Sequence, residues 1–288
     1  MLTRAALGLA ALALVGGGGI GWYWRFLERL PVDFETPLDA SKSQAFGRPV
    51  PVTGWGGGGR LTRTPIIFIH GTTGAAWNWG VARALFRLWG YRSAELWALT
   101  YGWGGELHRD PNGILTRDDS VDENLPDLDG FIHAVLRYVQ ARQPEVQQVD
   151  LVGHSMGGVL ARRWLREGDN ARLVRRLVTL DSPDHGIEST WLHENRCPDG
   201  VTRFCEEFIE GSPWLATLNS DAEVPVGIPA LAVYDGTGQV SFTVSSRSPR
   251  IEGGDNLPYN LERNARITHS AYVYDPGVLR TVFDWLQR

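Results

Sequence analysis

Six short, nearly all-apolar runs are spaced along the chain: Pro65-Ile66-Ile67-Phe68-Ile69, Glu95 to Thr100, Val149-Asp150-Leu151-Val152, Leu177-Val178-Thr179-Leu180, Ala230-Leu231-Ala232-Val233-Tyr234 and Ala265-Arg266-Ile267. A run that is apolar throughout, instead of alternating, is a strand buried on both faces. Between the runs the spacing changes to that of helices. Ala75 to Trp89 is one such stretch. Asp127 to Gln143 is another, with Phe131, Val135, Leu136, Tyr138 and Val139 on one face. A third starts at Met156, and Pro276 to Gln287 closes the chain. Strands alternating with helices predict an α/β domain over 64–288, with a mostly parallel sheet covered on both sides.

Three stretches break this rhythm. Residues 31–63 are rich in Pro, Gly and polar side chains and read as a linker or leading segment. Residues 103–123, rich in Gly and Asp, read as a surface insertion. The excursion at 183–229 carries Trp191, Phe204, Phe208, Ile209, Trp214 and Leu215. That much apolar surface suits a cap or lid, either packed on the body or walling an apolar substrate.

Residues 1–30 are a different material. From Ala5 to Trp24 there is no charge, Trp22-Tyr23-Trp24 closes the run, and Arg4, Arg25 and Arg29 flank it. Twenty helical residues span about 30 Å, the thickness of a bilayer core. The aromatic group resembles an interfacial belt, so the segment reads as a signal-anchor, with a cleaved signal peptide as the alternative. The chain has two cysteines, Cys197 and Cys205, with no further ligands near them to make a zinc site. An exported chain would pair them, and together with the N-terminal segment this points to a membrane-anchored or exported, extracytoplasmic protein. The charge balance is mildly acidic, with 28 basic residues against 33 acidic ones, and the basic residues are scattered. Nucleic acid is therefore not the expected partner.

The chemistry gathers at the carboxyl ends of the predicted strands, where parallel sheets place their reactive groups. Val149-Asp150-Leu151-Val152 runs into Gly153-His154-Ser155-Met156-Gly157, and a helix follows at once. Strand, sharp G-x-S-x-G turn and helix together make a nucleophile elbow, with Ser155 as the nucleophile. A serine hydroxyl needs a base. His269, just after the last predicted strand, is the candidate, while His70 and His154 belong to their own turns and His154 is read as pointing away from the serine. The backbone N–H of Met156 and that of Thr72, in His70-Gly71-Thr72-Thr73-Gly74, are the expected oxyanion donors. Trp77, Phe208 and Trp214 are candidates for the substrate wall. No metal or cofactor is expected.

FIHGTTG, LTYG, VDLVGHSMGG, LVTLDSPDHG, GSPWLATLN and THSAYVYDPGV, in that order over about 64–288, resemble bacterial lipases and esterases of the α/β-hydrolase fold. The chain is most similar to small bacterial triacylglycerol lipases and lipase-like polyhydroxybutyrate depolymerases. The resemblance implies hydrolysis of a carboxylic ester or lipid substrate through a Ser155 acyl-enzyme. One position departs from the pattern. Those relatives carry the triad aspartate four residues after a Tyr that closes the penultimate strand, where Val233-Tyr234-Asp235-Gly236-Thr237-Gly238 places Gly238. Asp181, in a setting that resembles the acid site of the animal pancreatic lipase group, and Asp235 both remain as acids able to orient His269. Acyl transfer to an acceptor other than water would use the same acyl-enzyme. A catalytically silent, membrane-associated binding domain is the alternative that Gly238 raises.

Overall fold

The computed structural model describes residues 30–35, 54–72, 74–101, 120–195, 203–236, 247–259, 261 and 269–288, with the backbone of two short antiparallel ribbons, Gln44–Ala45 with Arg48–Pro49 and Leu107–Arg109 with Leu115–Arg117. Seven strands form the sheet: β1 (Gly54–Trp55), β2 (Ile66–Ile69), β3 (Leu96–Leu99), β4 (Val149–His154), β5 (Val174–Leu180), β6 (Ala230–Tyr234) and β7 (Asp255–Pro258). Their order is β7-β6-β5-β4-β2-β3-β1, and every neighbouring pair is parallel except β1 against β3. The helices are α1 (Gly80–Leu88), α2 (Val121–Gln140), α3 (Met156–Leu165), α4 (Ser189–Asn195), α5 (Arg203–Phe208), α6 (Pro213–Leu218) and α7 (Pro276–Leu286).

Successive strand residues point to opposite faces, and this divides the core in two. Ile67, Ile69, Leu99, Leu151 and Leu177 pack with Phe131, Val135, Val159 and Leu160 of α2 and α3. Ile66, Phe68, Leu96, Val152 and Val178 pack with Phe86 of α1 and Val278, Leu279 and Val282 of α7 on the other side. With no strand face left to solvent, the central strands have no polar side to alternate, hence their all-apolar runs.

Three expectations need correction. The leading segment is not only a linker, since Gly54–Trp55 adds the antiparallel edge strand and Trp55 and Phe34 are buried. Helix α2 starts at Val121, inside the stretch read as a surface insertion. Ser120 Oγ accepts the Glu123 N–H, the carboxylates of Asp122 and Glu123 sit in the first turn, and Pro126 is accommodated early in the helix. Strand β7 was not expected at all. Ala265-Arg266-Ile267, read as the last strand, lies outside the described residues, as do residues 1–29 of the anchor segment. Among the described residues no helix is long and apolar enough to cross a membrane.

The 183–229 excursion packs as part of the body. Leu192, Phe204, Phe208, Leu215 and Leu218 belong to the α2/α3 side of the core. Polar bonds add to this anchorage at the α2 N-terminus, where the Val121 and Asp122 N–H groups donate to Glu207 at 2.5 and 3.1 Å. Trp214 Nε1–H donates to Asp122 at 3.1 Å, and Arg163 and Arg203 pair with the same carboxylate. Burial pushes the Glu207 carboxyl up to about 7, against the bonds it accepts from Val121 and Asp122. Cys205 in α5 is disulfide-bonded, and the chain's other cysteine, Cys197, lies outside the described residues.

Candidate active site

Strand β4 ends at Ser155, whose backbone turns to φ 54° and ψ −131° before α3 begins. A non-glycine residue holds this left-handed geometry only where its surroundings fix it. Here the Ser155 N–H donates to the Leu180 carbonyl at 3.0 Å, and the Gly158 N–H donates to the Ser155 carbonyl at 3.0 Å. The turn closes against β2 so tightly that a Cβ on Gly157 would strike the carbonyl oxygens of Ile69 and His70. A Cβ on Gly71 would stand 2.8 Å from Ser155 Cβ and 3.3 Å from its Oγ. The glycines of both motifs are therefore required by close approach between the elbow and the turn after β2.

Asp181, directly after β5, is also left-handed, at φ 45°. Its N–H donates to the Val233 carbonyl of β6 at 2.9 Å. The buried carboxylate places Oδ2 at 2.7 Å from Nδ1 of His269, which opens a helical turn at 269–271. Of the two acids the sequence left open, Asp181 makes this bond. Asp235, at the end of the next strand, is buried nearby. Burial, and then the charges of Asp181 and Asp235, raise the proton affinity of the Tyr272 phenol, which donates to the Tyr259 carbonyl at 2.7 Å.

The turn after β2 is held by a neutral histidine. His70 stacks on Tyr101 with ring centroids 3.9 Å apart. Its Nε2 lies 3.1 Å from the Tyr101 N–H, which can only donate, so Nδ1 carries the proton and donates to the Gly71 carbonyl at 2.7 Å. Burial drops this imidazole to about 4. The Gly74 N–H bonds to the same Gly71 carbonyl at 3.0 Å. The turn so fixed brings Thr72 Oγ1 to 3.4 Å from the sulfur of Met156. Met156 is the first residue of α3, so its N–H has no intrahelical acceptor.

These groups meet in one cavity of about 260 Å³, lined among others by Gly71, Thr72, Trp77, His154, Ser155 and His269. Ser155, His269, Thr72 and Trp77 are thus brought together, and Trp77 is 42% exposed at the rim. Phe208 and Trp214 are not among its lining residues. Phe208 is buried in the core, and Trp214 lines a separate cavity beside Asp122 and Arg203. An aromatic side chain reads the same in sequence whether it faces a core or a cleft.

Sequence reasoning missed two hydrogen-bonded side chains beside this cavity. His154 does not turn away but donates from Nε2 to the His269 carbonyl at 2.9 Å. Asn78, whose Oδ1 accepts the Ala75 N–H at 2.6 Å, donates from Nδ2 to the Tyr274 hydroxyl at 3.0 Å. A polar side chain just past the His70–Gly74 turn was the available signal for Asn78; nothing in the sequence said what it would reach. Among the described residues, no three His, Cys, Asp or Glu side chains converge as metal ligands.

The family model described as Lipase (class 2) matches residues 63–224. No curated protein matches the chain. Among solved structures, the chain is similar to the mature form of the Bacillus licheniformis lipase BlEst2, at 14% identity and a TM-score of 0.57 over 85% of this chain and 96% of that one. The propeptide form of the same lipase gives 13% identity and a TM-score of 0.60 over 82% and 53%. Aspergillus fumigatus lipase B gives 14% and 0.55 over 92% and 56%. At such identities the likeness is one of fold, and the fold is that of the α/β hydrolases.

Proposed function

The chain belongs to the class 2 lipase family and is a hydrolase of the lipase/esterase type, and from that premise we propose that it cleaves carboxylic esters through a covalent acyl-enzyme on Ser155. In this reading Ser155 Oγ attacks the ester carbonyl while His269 Nε2 takes its proton. The oxyanion that forms is received by the N–H groups of Met156 and Thr72. The alcohol leaves with the proton from His269, and water then repeats the sequence to release the acid. Asp181 holds the imidazole in the tautomer with its proton on Nδ1, and stabilises the imidazolium that forms.

The observation that carries this reading is that His269, bonded at Nδ1 to a buried carboxylate, lines the same cavity as the strained serine. The disulfide at Cys205 supports an oxidising, extracytoplasmic setting, and residues 1–30 are proposed as the membrane anchor.

The test is a fluorophosphonate probe followed by peptide mapping. The label should fall on Ser155 and vanish in Ser155→Ala, with a loss in kcat on p-nitrophenyl esters on the order of 10⁶-fold. Retained turnover in Ser155→Ala, or an unlabelled Ser155 in the folded wild type, would overturn the assignment.

A further inference from the structure

We propose that His154, the residue before the nucleophile, is a positioning residue: its Nε2–H clamps the backbone of His269 so that the base is fixed relative to Ser155. The inference rests on the acyl-enzyme reading above.

Four observations support it. The acceptor is the His269 main-chain carbonyl at 2.9 Å, which can only accept, so the proton on His154 sits on Nε2. The two rings lie against each other with centroids 4.6 Å apart and a tilt of 40°. His154 is the last residue of β4 and so shares the backbone of the elbow itself. Of the bonds at the site, this one directly joins the nucleophile's strand to the residue that carries the base, across 115 positions of sequence.

His269 is thereby held at two points. Asp181 fixes Nδ1 and sets the ring's tautomer. His154 fixes the main chain from which the ring hangs, and the Asn78 bond to Tyr274 braces the same segment from the oxyanion side. A misplacement of about 1 Å in such a pair can cost on the order of 10²-fold in rate. His154 also has to be neutral to sit here without cost to the imidazolium that forms on His269. Burial, and then the charges of His269 and His70, hold it well below the usual histidine range. Its titratable neighbours are these two imidazoles, with the Asp181 carboxylate beyond His269.

The experiment compares His154→Phe, which keeps a ring and loses the donor, with His154→Gln, which keeps a donor near the Nε2 position. We expect His154→Phe to lower kcat about 10- to 100-fold on p-nitrophenyl esters with KM little changed. The acidic limb of its kcat/KM profile should move, because that limb reports the base in the free enzyme. His154→Gln should recover kcat to within about threefold and restore the limb. A folded Phe variant with wild-type kcat and pH profile overturns the proposal, as do Phe and Gln variants impaired alike. If the Phe variant does not fold, the Gln variant decides, since a folded Gln variant slowed a hundredfold also overturns it. Fluorophosphonate labelling of the wild type separates the two claims. No label on Ser155 sinks the acyl-enzyme reading itself, whereas normal labelling with unresponsive His154 variants sinks only the clamp.

Discussion

Among the described residues, two histidine–carboxylate pairs are equally short. His269 Nδ1 lies 2.7 Å from Asp181, and His185 Nε2 lies 2.7 Å from Glu223. Distance therefore does not tell the two apart; their surroundings do. In His185 the other nitrogen, Nδ1, lies 3.1 Å from the Ser248 carbonyl. Both of its partners are acceptors, so both bonds are made together when the ring is protonated. The bond and charge of Glu223 accordingly raise the His185 pKa, with burial opposing them. His269 instead lines the cavity that Ser155 also lines. A ring bonded to acceptors at both nitrogens holds parts together, whereas in the proposed mechanism the ring beside Ser155 relays a proton.

What His185 holds together is a buried polar staple. The Arg162 guanidinium is fully buried and donates to Asp184 Oδ1 at 3.2 Å, Asn219 Oδ1 at 2.6 Å and the Glu223 carbonyl at 3.1 Å. The remaining oxygen of Glu223 accepts the Glu252 N–H at 2.7 Å. The loop after Asp181, the end of the cap and the 247–252 turn are joined by this network.

The comparison breaks most easily at the carboxylates. Asp181→Asn should lower kcat on the order of 10⁴-fold by disturbing the tautomer of His269. Glu223→Gln should leave kcat within about threefold, and Asp235→Asn should fall well short of the Asp181→Asn loss. Steady-state kinetics on one p-nitrophenyl ester ranks all three. If Glu223→Gln matched Asp181→Asn, or Asp235→Asn exceeded it, the assignment of roles would be wrong.

Stability should rank the two regions the other way. Arg162→Met leaves the Asp184 carboxylate in the core without its cation, and breaking a buried pair costs about 3–5 kcal/mol. Burial already pushes Asp184 up to about 6, with Arg162 pulling it back. Urea titration of Arg162→Met, and of Arg162→Met combined with Asp184→Asn, tests this; the second change should recover part of the loss. Asp181→Asn should move the urea midpoint far less. A loss in the single variant below about 1 kcal/mol would show the staple to be dispensable.

The five central strands and the sharp turn at Ser155 were legible because each is a local pattern: an apolar run or a glycine spacing. The choice between Asp181 and Asp235 was not. They end adjacent parallel strands, with Leu180 paired to Val233, and which one faces His269 depends on where a residue 88 positions away returns. The start of α2 was legible and overlooked. Ser120-Val121-Asp122-Glu123 has the S-x-x-E signature of a helix N-terminus, masked by the Gly- and Asp-rich run before it and by Pro126. Strand β7 gave no signal, because Asp255-Asn256-Leu257-Pro258 is mostly exposed at the sheet edge and has little that favours a strand. His154 was misjudged because side-chain alternation along β4 stops being a guide where the backbone turns into the elbow.

The smallest expected effect gives the sharpest check on the staple, because its sign depends on pH. The folded pKa of His185 is raised above 6.5, so its contribution to stability is present below 6.5 and is lost as pH rises through the folded value. Burial would raise Glu223, yet the bonds from His185 and the Glu252 N–H bring it below 4.5, so its contribution is present above 4.5 and is lost as pH falls. The pair therefore stabilises most between these two values. The Tm difference between wild type and Glu223→Gln should be largest near pH 5–6, on the order of a few degrees, and shrink above pH 7. Activity measured across the same range should not follow it. A Tm difference that is flat from pH 5 to 8 would mean that His185 is uncharged in the folded protein, and the distinction drawn between the two histidines would lose its basis.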